Sequence, residues 1–388
     1  MRLINLRPSA AVLIVALALS GCSTATRSIP EEPLHEMRTK PWSVMNQIQI
    51  DPALEDKILA LDPERITDDQ VRSILAKAPA PRIINIHGGV YPAYLLMESL
   101  STFLMGMGYP EARLRNPATG FFSFDCYRPA KELAGVIAWS YEKEGLRPLI
   151  IGHSQGGMQT IKVLHILAGN FEKRVHPWNP VLKKQERRWT IIDPLTGEDV
   201  PVVGGAPKVA YASATGAGGL ARTSPTQLSM LFVLRNIPDS VEDFTGYFMP
   251  LDILGADFAG VGGINLYHAT GKGTAKIRNV RLPLGYEHIS VLQTRHLVEG
   301  DPAIMDWISR YEPSAEPKFD GTKFTTSSKN ILWAADIWHD VKKHWCTELQ
   351  RFIRAKRQHI AASPVAAAPA APVSVPKAPS STPSAPAV

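Results

Sequence analysis

The sequence predicts an α/β fold: a mostly parallel central sheet with helices on both faces. Three observations carry that expectation. Arg82–Ile86 and Pro148–Ile151 are short aliphatic runs of the length expected for buried strands. Apolar residues at helical spacing separate and follow them, at Tyr94–Met107, at Pro129–Gly145, and through Met158, Ile161 and Leu164 to Leu167. Both runs end in glycine-bearing turns, His87-Gly88-Gly89 and Gly152-His153-Ser154-Gln155-Gly156. Strands alternating with helices in this way build parallel sheets.

The chain begins with a different kind of segment. Arg2 and Arg7 precede an uncharged run, Pro8–Ser20, which ends at Leu19-Ser20-Gly21-Cys22. A basic start, a short apolar core and small residues describe a secretory signal peptide over 1–21. The run falls short of the ~20 residues that a bilayer span needs. Leu-Ser-Gly-Cys resembles the lipobox of bacterial lipoproteins. The resemblance implies that Cys22 carries lipid and heads the mature chain. Ser23 and Thr24, with no aspartate beside Cys22, imply sorting to the outer membrane, facing the periplasm. Residues 22–50 are then an anchor and spacer, and 51–360 form the domain. Residues 361–388 hold seven prolines among Ala, Ser, Thr and Val, with one charge, Lys377. That composition predicts a disordered, semi-extended tail.

Within the domain, Asp51-Pro52 opens a short helix, and Thr67-Asp68-Asp69-Gln70 is a capping box ahead of Val71, Ile74 and Leu75. Ala112–Arg115 is the next candidate strand after Arg82–Ile86. The stretch 170–207 is long for a connection, and within it Asp193-Pro194-Leu195-Thr196-Gly197 is flanked by two strand-like runs, a hairpin signal. It is expected to be an inserted cap, either shaping a substrate mouth or forming an inert excursion. Lys208–Ala214 is a strand, Phe244–Asp252 the penultimate strand and Ala275–Leu282 the last. Ile331–Gln358 is a terminal helix.

Gly152-His153-Ser154-Gln155-Gly156 is Gly-x-Ser-x-Gly at a strand-to-helix turn, a nucleophile elbow. Side chains at Gly152 or Gly156 would strike their neighbours on so sharp a bend. The bend lifts the Ser154 hydroxyl above the sheet, at a helix N-terminus that favours negative charge. From these residues, and from the order of elements before the serine, the chain resembles the α/β-hydrolase family of lipase- and esterase-like enzymes. The resemblance implies an α/β-hydrolase fold and cleavage of carboxylic esters through an acyl-enzyme. It also implies a chain order of serine, acid, then histidine. His288, on the loop after the last strand, is the candidate base. Asp252 is the candidate acid, with Asp257 and Asp243 as rivals. Gln155 and Gly89 are the candidate oxyanion donors, with Val90 as the alternative to Gly89. His87 is expected to be structural.

Other chemistry finds less support. Gly216-Ala217-Gly218-Gly219-Leu220-Ala221 imitates a dinucleotide loop, with Asp239 downstream, but Pro225 follows and no helix opens there. No cofactor is therefore expected. No His-Glu-x-x-His occurs, and His339 and His344 do not share a helix face, so no metal site is expected. The net charge is +6, and Lys342, Lys343, Arg351, Arg354, Lys356 and Arg357 cluster near the end of the domain. They are expected on the solvated face of a helix, with contact to an anionic membrane as the other reading. No nucleic-acid motif accompanies them. Whether Cys126 and Cys346 pair is left open. The expected partners are an ester-containing small molecule or lipid, and a membrane through the anchor. Acyl transfer to an alcohol, or a scaffold without turnover, are the alternative functions.

Overall fold

The computed structural model describes residue 45 and residues 47–362, apart from 207, 218, 220–224, 256–264 and 325. The leader, Cys22, Asp257, most of the spacer and the tail beyond Ala362 lie outside the described residues.

Five strands form the central sheet: β1 (Ile83–Ile86), β2 (Leu149–His153), β3 (Val209–Thr215), β4 (Val241–Phe248) and β5 (Lys276–Arg281). They lie side by side in chain order, and every pairing is parallel. Successive residues face opposite sides. Ile83, Leu149, Ile151 and Tyr211 enter one core, while Ile84, Ile150 and Ala212 enter the other. Helices α1 (Tyr91–Gly106) and α4 (Ile331–Ala362) cover the first face. Helices α2 (Ala130–Glu144) and α3 (Gln155–Leu167) cover the second. Burial on both faces explains why β1 and β2 begin as short aliphatic runs, whereas β5, at the edge of the sheet, alternates and is only partly buried.

Local chemistry fixes the element ends. Thr67 and Gln70 form the reciprocal capping box, and the Asp51 carboxylate caps Pro52–Leu59. Pro92 stands in the first turn of α1, and α2 stops at Gly145 with φ 78°.

Several expectations need correction. Ala112–Arg115 is not a strand: Glu111–Leu114 is a short helix, closed by an Arg115–Glu111 ion pair one turn apart. The outer edge of β1 instead pairs at one residue, Phe124, whose N–H donates to Asn85 O at 2.7 Å. The penultimate strand stops at Phe248, before Pro250, so Asp252 lies in the turn beyond it. The stretch 170–207 carries the expected hairpin, Thr190–Ile192 with Asp199–Pro201, and a second one, Trp178–Asn179 with Lys184–Gln185. They lie along α2, held by Trp139 Nε1 to Glu186, Tyr141 to Asp193 and Arg188 to Glu142. Cys126 and Cys346 are free, buried thiols that belong to the cores on opposite faces of the sheet. Among the described residues, no helix is long and apolar enough to cross a membrane.

Apart from the exposed Arg354, the basic cluster is not simply a solvated face either. The Lys342 ammonium is buried against the Ile66 and Ser309 carbonyls. Lys343 pairs with Glu64 and Asp243, Arg351 with Glu242, and Lys356 and Arg357 with Glu55. These contacts fasten α4 to the sheet and to the short N-terminal helices. Deeper in, Arg278 of β5 bridges Asp336 and Asp340 of α4, which also accept from Tyr247 and Thr245 of β4.

One of these links gives acid sensitivity. Arg147 reaches both Glu348 of α4 and Glu242 of β4, each at 2.6 Å. Burial raises the Glu242 pKa, but the Arg147 hydrogen bond and charge, with Arg351, hold it down at about 2 against an ordinary 4.5. The folded carboxyl is thus more acidic than the unfolded one. Its contribution is complete above pH 4.5 and is lost as pH falls through about 2. Glu242→Gln should lower Tm at neutral pH and flatten the fall in Tm across that window. Superimposable Tm–pH curves for variant and parent would show that the pair contributes nothing.

Candidate active site

A parallel sheet places all its carboxyl ends on one edge, and ligand sites of open α/β sheets lie beyond that edge. Here each strand delivers something to it. His87-Gly88-Gly89 follow β1, Ser154 follows β2, Gly216 follows β3, Asp252 follows β4 and His288 follows β5.

Ser154 has φ 53° and ψ −119°, a strained conformation for a residue with a side chain. Two close approaches hold it there. A Cβ on Gly156 would overlap Ile86 O and stand 2.6 Å from His87 O; one on Gly152 would stand 2.6 Å from Gly156 O. The Ser154 N–H donates to Thr215 O at 2.8 Å, and its own carbonyl accepts from Met158 N–H as the first bond of α3.

The structure brings Ser154, His288 and Asp252 into one hydrogen-bonded line. His288 Nε2 lies 2.7 Å from Ser154 Oγ, and His288 Nδ1 lies 2.7 Å from Asp252 Oδ2. A carboxylate only accepts, so Nδ1 carries the proton and Nε2 accepts from the serine hydroxyl. The Asp252 side chain is 2% exposed and that of His288 10%. The second Asp252 oxygen accepts from Gly255 N–H at 2.9 Å. Of the rival acids, Asp243 is elsewhere: it faces His344, Lys343 and Lys276 near α4. Burial raises its pKa, but the His344 and Lys343 contacts hold it at about 2.

Gly216 was legible only as part of a dinucleotide look-alike. Its place is structural. With φ 53°, it leaves room where a Cβ would stand 2.8 Å from Asp252 Oδ2 and 2.9 Å from His288 Nδ1.

Gly89 lies against Gln155, for a Cβ on it would come within 3.4 Å of the Gln155 Cβ. Among the described residues, neither the Gly89 nor the Gln155 amide has a backbone acceptor. The Gln155 amide is one of the unpaired N–H groups of the first turn of α3. The Val90 amide sits on the next peptide, whose carbonyl, Gly89 O, accepts from the Tyr127 hydroxyl at 2.8 Å. His87 Nδ1 donates to Gly88 O at 2.7 Å, so His87 orders this loop and does not approach Ser154. Tyr127 gave no signal in the sequence.

Beside His288 opens a groove of about 510 Å³. Pro92, Leu95 and Leu96 from the start of α1 line it, with Leu254 and Ile289. Glu287, Ser290 and Gln293 supply its polar lining. Among the described residues, none of 170–207 lines it. Leu95 and Leu254 are each more than two-fifths exposed, and Leu251, Ile253 and Leu284 nearby are more so. Among the described residues, no three His, Cys, Asp or Glu side chains are grouped to hold a metal.

The arrangement can take a proton from Ser154 and deliver it elsewhere, beside an apolar groove and two amides without backbone acceptors. Compared with protein-family models, curated proteins and solved structures, the chain matches none, and its chemistry is therefore read from this geometry.

Proposed function

We propose that the protein is a serine hydrolase of α/β-hydrolase type that cleaves neutral carboxylic esters bearing a hydrocarbon group. The observation that carries the reading is the line of two 2.7 Å contacts from Ser154 through His288 to Asp252. Ser154 Oγ attacks the ester carbonyl as its proton passes to His288 Nε2. Asp252, on Nδ1, fixes the tautomer and stabilises the imidazolium. The oxyanion lies toward the Gly89 and Gln155 amides, where one donor is worth about 2.7–4 kcal/mol. The alkoxide leaves with the proton from Nε2, giving the acyl-enzyme. Water, deprotonated by the same nitrogen, then releases the acid and restores Ser154.

The groove supports the substrate class. Its walls are aliphatic, so a hydrocarbon chain lying there gives up water at roughly 25 cal/mol per Å² of apolar surface buried. Glu287 in its lining disfavours an anionic substituent. The Leu19–Cys22 leader supports attachment through a lipidated Cys22, which would set this edge of the sheet to work at the cell envelope.

A fluorophosphonate probe should label the parent protein and not Ser154→Ala. Ser154→Ala should lower ester turnover by about 10⁶-fold, and Asp252→Asn by about 10⁴-fold with the protein still folded. Unchanged turnover in Ser154→Ala ends the reading. Leu95→Asp combined with Leu254→Asp should lower kcat/KM for an octanoate ester by at least about tenfold, with far less effect on an acetate ester. Equal losses on both esters would remove the groove from substrate recognition. For the anchor, Cys22→Ser should move the protein from the membrane to the soluble fraction after cell lysis. Retention in the membrane pellet would count against lipidation.

A further inference from the structure

His153 is the residue before the nucleophile, yet its ring does not point at the substrate side of the elbow. It is 1% exposed and packs against His288, with ring centroids 5.0 Å apart and planes tilted by 50°. Its Nε2 lies 2.5 Å from the backbone oxygen of His288. A carbonyl can only accept, so Nε2 carries the proton and Nδ1 is bare. Nδ1 is buried and has no hydrogen-bond partner among the described residues.

The segment that presents His288 needs holding. It runs from the end of β5 to the single turn at Ser290–Leu292 with no regular structure, and Leu284 within it is 77% exposed. Besides the contacts of the His288 ring itself and a Lys329–Glu287 ion pair, two hydrogen bonds tie it to the body of the fold. The Tyr286 hydroxyl accepts from Leu332 N–H of α4 at 3.0 Å, and His288 O accepts from His153. The second link closes a small circuit. Ser154 Oγ meets the His288 ring, the His288 backbone meets the His153 ring, and one peptide bond joins His153 to Ser154.

We propose that His153 is a positioning residue, clamping the backbone of the general base to the elbow and thereby fixing the Ser154–His288 contact. The proposal rests on the reading of Ser154 as a nucleophile. Because the clamp is attached one residue from the serine, displacement of the elbow carries the base with it, and their separation is preserved.

A histidine serves here only if it stays neutral beside a base that becomes cationic. The groups facing it are His288, Asp252 and His87. Burial, then the neighbouring His288 and His87, outweigh the Asp252 carboxylate and the His288 carbonyl and lower its pKa to about 3. His153 therefore remains an uncharged donor throughout the working range, and no second positive charge opposes the His288 imidazolium.

The test compares His153→Leu, His153→Asn and His153→Gln with the parent, on a butyrate ester and on a fluorophosphonate probe. A Gln amide reaches the position of Nε2, whereas an Asn amide reaches only that of Nδ1. With Tm close to the parent value, Leu and Asn should lose about 10²-fold in kcat, the order expected for an ångström-scale misplacement. KM should stay within about twofold, because ground-state contacts in the groove are untouched. Gln should restore most of kcat and retain the parent pH profile. Parent-like kcat in the Leu variant, or Gln no better than Asn, overturns the clamp. If the Leu variant does not fold, the Gln–Asn comparison decides alone. Failure of the parent to react with the probe removes the nucleophile reading itself. Equal labelling rates for parent and Leu variant, with the parent reactive, remove only the clamp.

Discussion

The first turn of α3 passes so close beneath the end of β1 that Gly156 touches the carbonyl oxygens of Ile86 and His87. Everything at the carboxyl edge depends on this approach. It lets β2 turn into a helix within a single residue, which is why Ser154 adopts its positive φ. It also belongs to the packing that sets Gly89 against Gln155. A bend of this kind costs roughly 1–3 kcal/mol and persists only where the surroundings over-determine it. Here the Thr215 carbonyl holds one side of Ser154, α3 holds the other, and buried aliphatic residues fill both faces of the sheet below.

The parallel order of the strands does the rest. Ser154, Asp252 and His288 are far apart in the chain, yet each leaves the same edge, from β2, β4 and β5. Small residues make the packing possible. Gly216 and Gly255 each leave the space that Asp252 occupies, and Gly255 supplies an N–H to the oxygen His288 does not use. The carboxylate is thus fully occupied and nearly excluded from water, so its orientation of the imidazole is not shared with solvent.

What could be read from the sequence was what backbone sterics and strand periodicity impose. The elbow was legible because only glycine fits at 152 and 156. His288 was legible because the alternation of Lys276–Arg281 marks the last strand and the loop after it. Asp252 was legible as a position but not as a strand end, since Pro250 already breaks the strand and a turn carries the acid. The short helix at Glu111–Leu114 escaped because four residues give no period, and an ion pair decides the matter. The basic cluster misled because composition does not reveal partners: Glu55, Glu64, Glu242 and Asp243 are remote in sequence. Tyr127 and His153 were invisible for a related reason. Their parts are played through backbone oxygens of other loops, which leave no pattern in the residues themselves.

The indole N–H of Trp333, on α4, donates to the Thr215 hydroxyl, and the Thr215 carbonyl in turn accepts from Ser154. A chain emerging from the ribosome therefore carries its serine long before the tryptophan that buttresses it. Domains complete their packing as units, so the elbow gains its last support only when nearly all of the fold has been made. The geometry of the elbow is thus complete only once the closing helix has docked.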